Sequence, residues 1–387
     1  METNRTYDIL VIGGGISGCV FASKYLNNNP QKKAALVEIG RGLGGRSSTR
    51  ISKRFEGWEL NHGSPSLNIL NSKNSNLLNN YINELLENKF ITFDDSDLVQ
   101  LDKANNPETI IDSEFSYGKK YISTFSMSEL SRNILNSNNL RSQIDFYFET
   151  LIVDLSFNKN EWKLTSINGN AFRSKYLVCS SNLLLHKRSL SIMNINKIPL
   201  RKAIPPNKDE KIDLLLKELE KQSFIPRLSF LIYTNENYNY KDLYPKKNRY
   251  FYLKNFLEKK YKIERVIFQR QNNKKLGIVV HTRSLDFIES YSKENNKDKF
   301  KRVILSRFNE LFEGNSSINQ LNGNESISIM KWRASQPTGI GIPLSLQFCK
   351  NYRIGFCGDW FEGDGFGRIE GSILSSLILA NKFKNLN

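Results

Sequence analysis

The chain opens on a short apolar run, YDILVI at residues 7–12, with no polar alternation. Such a run predicts a strand buried on both faces, as in a parallel sheet. GGGISG follows at 13–18, and Ile16, Cys19, Val20, Ser23 and Leu26 then fall at helical spacing. NNNP at 27–30 stops that helix. AALVE at 34–38 predicts the next parallel strand. Residues 67–89 are rich in Asn, yet Leu77, Leu78, Tyr81, Ile82, Leu85 and Leu86 keep the stripe of an amphipathic helix. A further helix is expected from near Ser126, carrying Met127, Leu130, Ile134 and Leu135. Strand-like runs at 146–155, 161–166 and 172–180 are separated by NKN and NGN, which predicts an antiparallel meander. Beyond 185 the texture changes. KIPLRKAIPP at 197–206 reads as loop, and a charged helix is expected over about 208–221. Strands are expected at 227–234, 249–253, 263–270 and 276–282, and one long helix over about 284–313. The segment 352–383 reads as strand, Gly-rich loop, helix.

Length changes this picture little: 387 residues suit two to three domains at ~150 residues each. Hydrophobic residues at 39% and charged residues at 25% exclude a disordered chain or a small disulfide scaffold. No run approaches the ~18 apolar residues of a membrane span, and no leader pattern is visible, so a cytoplasmic location is expected. Charge matters more. Of a net +17, residues 185–320 carry +14, from 29 Lys and Arg against 15 Asp and Glu. With 36 Lys and 45 Asn, part of the excess reflects amino-acid usage. Such a block can attract nucleic acid, an acidic membrane or a phosphate-bearing small molecule. No nucleic-acid motif accompanies the charge. Cys19, Cys179, Cys349 and Cys357 show no metal-like spacing with His62, His186 and His281. Buried, reduced thiols and no metal are expected.

The chemistry begins at the glycines. Gly13, Gly15 and Gly18 form GxGxxG directly after a strand and opening a helix. The first makes the tight turn, the second admits a pyrophosphate to the backbone, and the third packs helix on strand. The helix N-terminus, with Ile16 and Ser17 in its first turn, favours phosphate. Glu38 follows 20 residues after Gly18, where a carboxylate accepts hydrogen bonds from an adenosine ribose. Next come Arg41 and then Gly44, Gly45 and Arg46: bare backbone and guanidinium groups suited to a pyrophosphate. This block resembles the second FAD fingerprint of glutathione-reductase-like flavoproteins. Near the end, Gly358 and Asp359 close a strand, and Arg368, Ile369, Glu370 and Gly371 open a helix. In that fold family such a pair holds the ribityl chain and the flavin pyrimidine edge. The three motifs in this order point to FAD. PTGIGIP, with Gly339 and Gly341, is not placed between strand and helix, so no second dinucleotide unit is expected.

Further blocks resemble the renalase-type branch of the flavin amine-oxidase superfamily, almost end to end. They are GRGLGGRSSTR, NHGSPS at 61–66, YISTFSMSEL at 121–130, EWKLTSINGNAFRSKYLVCSS, GIVVHTRSLDFIESY at 277–291 and MKWRASQP at 330–337. The resemblance implies noncovalent FAD in a discontinuous Rossmann-like domain of the glutathione-reductase type (1–60, 121–184 and 321–387). A discontinuous α+β substrate domain, 61–120 and 185–320, would cover the flavin. Gly63 and Ile152 join the expected cofactor contacts. The implied activity is hydride transfer from a dihydronicotinamide, an NAD(P)H isomer, to flavin N5, with reoxidation by oxygen or another acceptor. The alternatives are a flavin amine oxidase or desaturase, or a non-catalytic binding protein of the same fold. Two departures bear on specificity: Pro65-Ser66 in place of a polar–aromatic pair, and Ser180-Ser181-Asn182 in place of an apolar, proline-bearing segment. Hydride transfer needs position more than a side-chain acid or base, so no single catalytic residue is expected. His62, Trp332, Arg333 and Trp360 are the candidate substrate-facing residues. Because the basic block falls in the covering domain, a phosphate-bearing substrate drawn to that face is expected.

Overall fold

The YDILVI run lies in the strand Glu2–Ile12, in the middle of the larger sheet of the computed structural model. The structure describes residues 2–52, 58–70, 75–96, 98–101, 107–109, 118–234, 248–271, 275–315, 318–323 and 325–384. The parallel part of this sheet runs in the order Ile144–Tyr147, Ala34–Val37, Glu2–Ile12, Ala171–Cys179, Ile354–Phe356. Ile9 and Val11 face one core, while Leu10 and Ile12 face another. Both faces being dry, the run has no alternation to show. The first core is closed by the helices Ile16–Asn28, Asn76–Glu87, Met127–Asn136 and Ile369–Lys384. The second is closed by the meander strands Ile152–Asn158 and Glu161–Ser166 and by helices between 188 and 220. The fold is therefore α/β, with a Rossmann-like unit at its start.

A second sheet has the order Ser326–Thr338, Ser223–Tyr233, Leu276–Thr282, Arg265–Arg270, Asn248–Leu253, Leu98–Leu101, Pro107–Thr109. Its pairs are antiparallel except Leu98–Leu101 against Asn248–Leu253. Alternation along these strands sorts the two faces. Leu228, Phe230, Ile232, Val266, Phe268, Ile278 and Val280 pack under the helices of 255–311. The opposite face presents Arg227, Tyr252, Arg265 and His281 to a cavity between the two sheets, with Ser229 buried behind that lining.

Several elements differ from expectation, one through a tertiary contact and two through local capping. The run 146–155 is two strands, not one. Glu149 adopts φ +52°, and the intervening backbone docks on the segment after the second strand: Glu149 N donates to Gly40 O, and Thr150 N to Glu38 O. Residues 197–206 contain a short helix, Pro199–Ala203, with Pro at its first position, where the missing N–H costs nothing. The long helix expected over 284–313 is two, Leu285–Lys293 and Asp298–Leu311. Lys297 Nζ caps the first by donating to the carbonyls of Tyr291 and Glu294, while the Asn296 side chain accepts from Asp298 N at the start of the second. Packing also differs from the expected domain boundaries. Leu200, Leu215 and Leu219 lie in the core of the larger sheet, residues 326–338 form an edge of the second sheet, and Leu67 and Tyr81 pack with the first helix. Among the described residues, no helix is long and apolar enough to cross a membrane.

Candidate functional site

The glycine turn is built by contacts that exclude side chains. A Cβ on Gly18 would lie 2.0 Å from Gly13 O, so only glycine lets the first helix sit this close to the strand. Gly44 (φ +116°) donates its N–H to Gly14 O at 2.9 Å, bringing the second glycine pair against the first. The first helix has Gly15 as N-cap, no side-chain cap and no acid in its first turn. Its N-terminal dipole is thus left for an anionic ligand. Glu38 stands just past the end of the second strand and is 9% exposed. Its two oxygens accept from Gly14 N and Gly40 N, both at 2.6 Å. The carboxylate thereby braces the glycine turn from below, a role its position in sequence did not signal.

Arg46 and Asp359 stand 313 residues apart in sequence and meet in a two-pronged ion pair, Nη1–Oδ2 2.7 Å and Nη2–Oδ1 2.6 Å. Asp359 is buried, whereas the Arg46 side chain is 39% exposed toward the cavity. Burial would lower the Arg46 pKa, but the charge and hydrogen bonds of Asp359 hold it above its ordinary value. Arg46 Nη1 also donates to Ser335 O on the edge strand of the second sheet, so one guanidinium ties the two sheets together. Glu370 anchors the last helix by accepting from Leu70 N at 2.9 Å.

Across the cavity, His62 stacks on Trp332 with ring centroids 5.2 Å apart and planes 24° from parallel. Ser229 organises the pair. It accepts from Trp332 Nε1 at 3.0 Å, donates to His62 O at 3.0 Å and lies 3.1 Å from His281 Nδ1. Burial, followed by the charge of Arg50, lowers the His62 pKa to about 4, so the ring is neutral at pH 7. Arg227 is buried and makes two 2.6 Å hydrogen bonds to Glu264 and one of 2.7 Å to Ser335. Arg333 is exposed at the rim, as is Arg41. Trp360, by contrast, is 1% exposed and packs against Phe361 in the second core, so most of its ring serves packing.

These groups surround one cavity of about 1550 Å³. That exceeds the ~300–1,000 Å³ typical of a drug-sized ligand and suits a dinucleotide with room for a substrate. Gly13, Gly15, Ile16, Ser17, Glu38, Arg41, Gly44, Gly45, Arg46, Gly63, Ile152, Asp359, Arg368 and Ile369 all line it, with His62, Trp332, Arg333 and Trp360. Gly18, Gly358 and Gly371 do not; they sit behind the lining. Gly358 N donates to Ser375 Oγ, and a Cβ on Gly371 would lie 2.3 Å from Gly365 O.

Among the described residues, twelve Lys and Arg and four Asp and Glu line the cavity, an excess of eight positive charges. Only five of the twelve (Arg188, Arg227, Arg265, Lys301 and Arg302) come from the basic block, so most of the block's charge lies elsewhere. Arg227, Ser229, Arg265 and His281 were missed as site residues. The signal was present: they are polar interruptions within or beside apolar strand runs, with Arg227, Arg265 and His281 lining the cavity and Ser229 bonded to the lining residues His62 and Trp332. The four cysteines are buried free thiols, and burial raises the pKa of each. Among the described residues, no group of three or more His, Cys, Asp or Glu is placed to hold a metal.

A family model described as an NAD(P)-binding Rossmann-like domain matches residues 11–85. No curated protein matches the sequence. Solved structures match over nearly the whole chain. A putative protoporphyrinogen oxidase from Exiguobacterium sp. 255-15 aligns with a TM-score of 0.64 at 10% identity, covering 100% of both chains. Cyclohexylamine oxidase from Brevibacterium oxydans IH-35A gives 0.64 at 11%, covering 99% of each. Wild-type putrescine oxidase bound to putrescine gives 0.63 at 9%, again covering 99% of each. The chain shares the fold of these oxidases. At such identities the likeness concerns backbone architecture, and the residues above must carry the chemistry.

Proposed function

We propose that this chain is an FAD-dependent oxidoreductase that takes a hydride from a dihydronicotinamide, an NAD(P)H isomer, and passes the electrons to oxygen or another acceptor. The observation that carries the reading is convergence. Three motif blocks at 13–18, 38–46 and 358–371 meet a polar, cationic sheet face around a single large cavity. The residues present fit FAD: a glycine turn closed to side chains, an uncapped helix N-terminus, Glu38 beneath the turn and Arg46 facing the cavity. When bound, FAD supplies the hydride acceptor.

The chain's own residues do the rest. Gly13, Gly15, Gly44, Gly45 and Arg46 hold the diphosphate, and Glu38 holds the ribose. Ile152 packs near the adenine end, and Asp359, Arg368, Ile369 and Gly63 border the flavin end. Trp332, backed by the buried, neutral His62 ring, offers a flat surface for a planar heterocycle. The cationic lining draws in a phosphate-bearing substrate and opposes an ammonium, since like charges in a partly dry cavity repel strongly. That argues for the dihydronicotinamide over an amine. The amine reading is supported by the cyclohexylamine and putrescine oxidases of the same fold. Soluble small molecules are the expected partners, with no nucleic acid, and a cytoplasmic location is part of the proposal. Anaerobic stopped-flow measurement of flavin bleaching tests it. NAD(P)H isomers are expected to bleach the bound flavin and primary amines or polyamines to leave it oxidised. The reverse pattern refutes the substrate assignment, and a purified protein that takes up no FAD refutes the cofactor.

A further inference from the structure

Arg188 is a cavity-lining guanidinium with no carboxylate ion-pair partner among the described residues. Its Nη2 donates to Asn182 Oδ1 at 2.6 Å, its Cζ lies 4.2 Å from the centroid of the Phe224 ring, and its Nε is buried with no hydrogen-bond partner. A planar cation held on both sides, with a donor unspent, is pre-organised for an anion. A second cation, Arg46, lines the same cavity, and burial, followed by the charge of Arg46, lowers the Arg188 pKa to about 10. Two guanidinium groups that repel across a cavity are relieved by an anion placed between them.

Position decides which anion. Asn182 stands two residues past Ser180, whose hydroxyl donates to both Ile12 O and Gly13 O at 3.0 Å in the glycine turn. The segment that orients Arg188 is therefore anchored on the turn itself, in the cavity that Arg46 and Asp359 also line. That segment is Ser180-Ser181-Asn182, whose Asn182 supplies the acceptor that orients Arg188. An apolar residue at 182 offers no acceptor to orient Arg188.

We infer that Arg188, oriented by Asn182 and Phe224, is a second cationic clamp on the diphosphate of the bound dinucleotide, opposite Arg46. This rests on the FAD reading above. The test is equilibrium titration of the flavin-stripped full-length protein with FAD and, separately, with riboflavin, which lacks phosphate, at several salt concentrations. Arg188→Gln is expected to weaken FAD binding by about tenfold or more, the loss of a charge-assisted contact. Its affinity should fall less steeply with salt than the wild type's, because one counter-charge is gone, while riboflavin binding stays as in the wild type. Arg188→Lys, which keeps the charge but loses the planar fork, should fall between the two and serves if Arg188→Gln does not fold. Equal FAD affinity and salt slope in Arg188→Gln and wild type overturn the inference, as does an equal loss of riboflavin affinity. A wild type that binds no flavin overturns the FAD reading instead, and the inference with it.

Discussion

Glu38→Gln separates a ligand-binding role from a structural one. If Glu38 served only a ribose hydroxyl, the ligand-free protein would be indifferent to losing its charge. The structure says otherwise: both oxygens, 9% exposed as a residue, accept backbone N–H groups at 2.6 Å, one from the glycine turn and one from the turn at Gly40. A glutamine keeps one acceptor and turns an NH₂ toward the other N–H. One charge-assisted hydrogen bond is lost and one amide is left unsatisfied, which costs about 1.5–3 kcal/mol. Glu38→Ala removes both bonds and should cost more than Glu38→Gln. The assay is urea unfolding of ligand-free protein, with FAD titration alongside. Glu38→Gln is expected to shift the unfolding midpoint down with an unchanged slope, because the surface exposed on unfolding is the same. Its FAD affinity should fall as well, since the turn it braces forms the diphosphate seat. Stability within about 0.5 kcal/mol of wild type, the usual range for an inconsequential surface change, refutes the bracing argument.

Three further predictions follow from the same contacts. Gly18→Ala gains about 1 kcal/mol of helix propensity but drives a Cβ to 2.0 Å from Gly13 O, so a net loss of melting temperature and of FAD binding is expected by thermal shift and titration; a rise refutes it. Glu264→Gln leaves Arg227 buried and unpaired at a cost of about 3–5 kcal/mol at pH 7 by urea unfolding. Burial raises the Glu264 pKa, but its bonds to Arg227 hold it below the ordinary value, so the pair's stabilisation is full above about pH 4.3 and is lost as pH falls through the lowered value. The gap between wild type and Glu264→Gln should therefore close on acidification; a gap constant with pH refutes the assignment. Ser229→Ala removes the group that joins Trp332, His62 and His281, and should blue- or red-shift Trp332 fluorescence and weaken substrate binding more than FAD binding; loss of FAD binding alone refutes a substrate-side role.

The nucleotide half was legible because its rules are local. A doubly buried strand must be continuously apolar, a backbone that touches backbone must be glycine, and a helix that faces phosphate must go uncapped. YDILVI and GGGISG, which opens the uncapped first helix, state those conditions within a few residues of each other. Breaks set by distant partners were not legible. The run 146–155 divides because its turn hydrogen-bonds to Glu38 and Gly40; the break in 284–313, by contrast, is a local cap that Lys297 supplies within the same stretch. The site itself divides the same way. Composition placed positive charge in 185–320, yet among the described residues only five of that block's cations reach the cavity. The pairing of Arg46 with Asp359 joins residues 313 positions apart, and Arg188 becomes an anion clamp only where Asn182, Phe224 and Arg46 converge. Which charges meet and which are left open is a property of three-dimensional proximity and burial, and only the assembled sheets decide it.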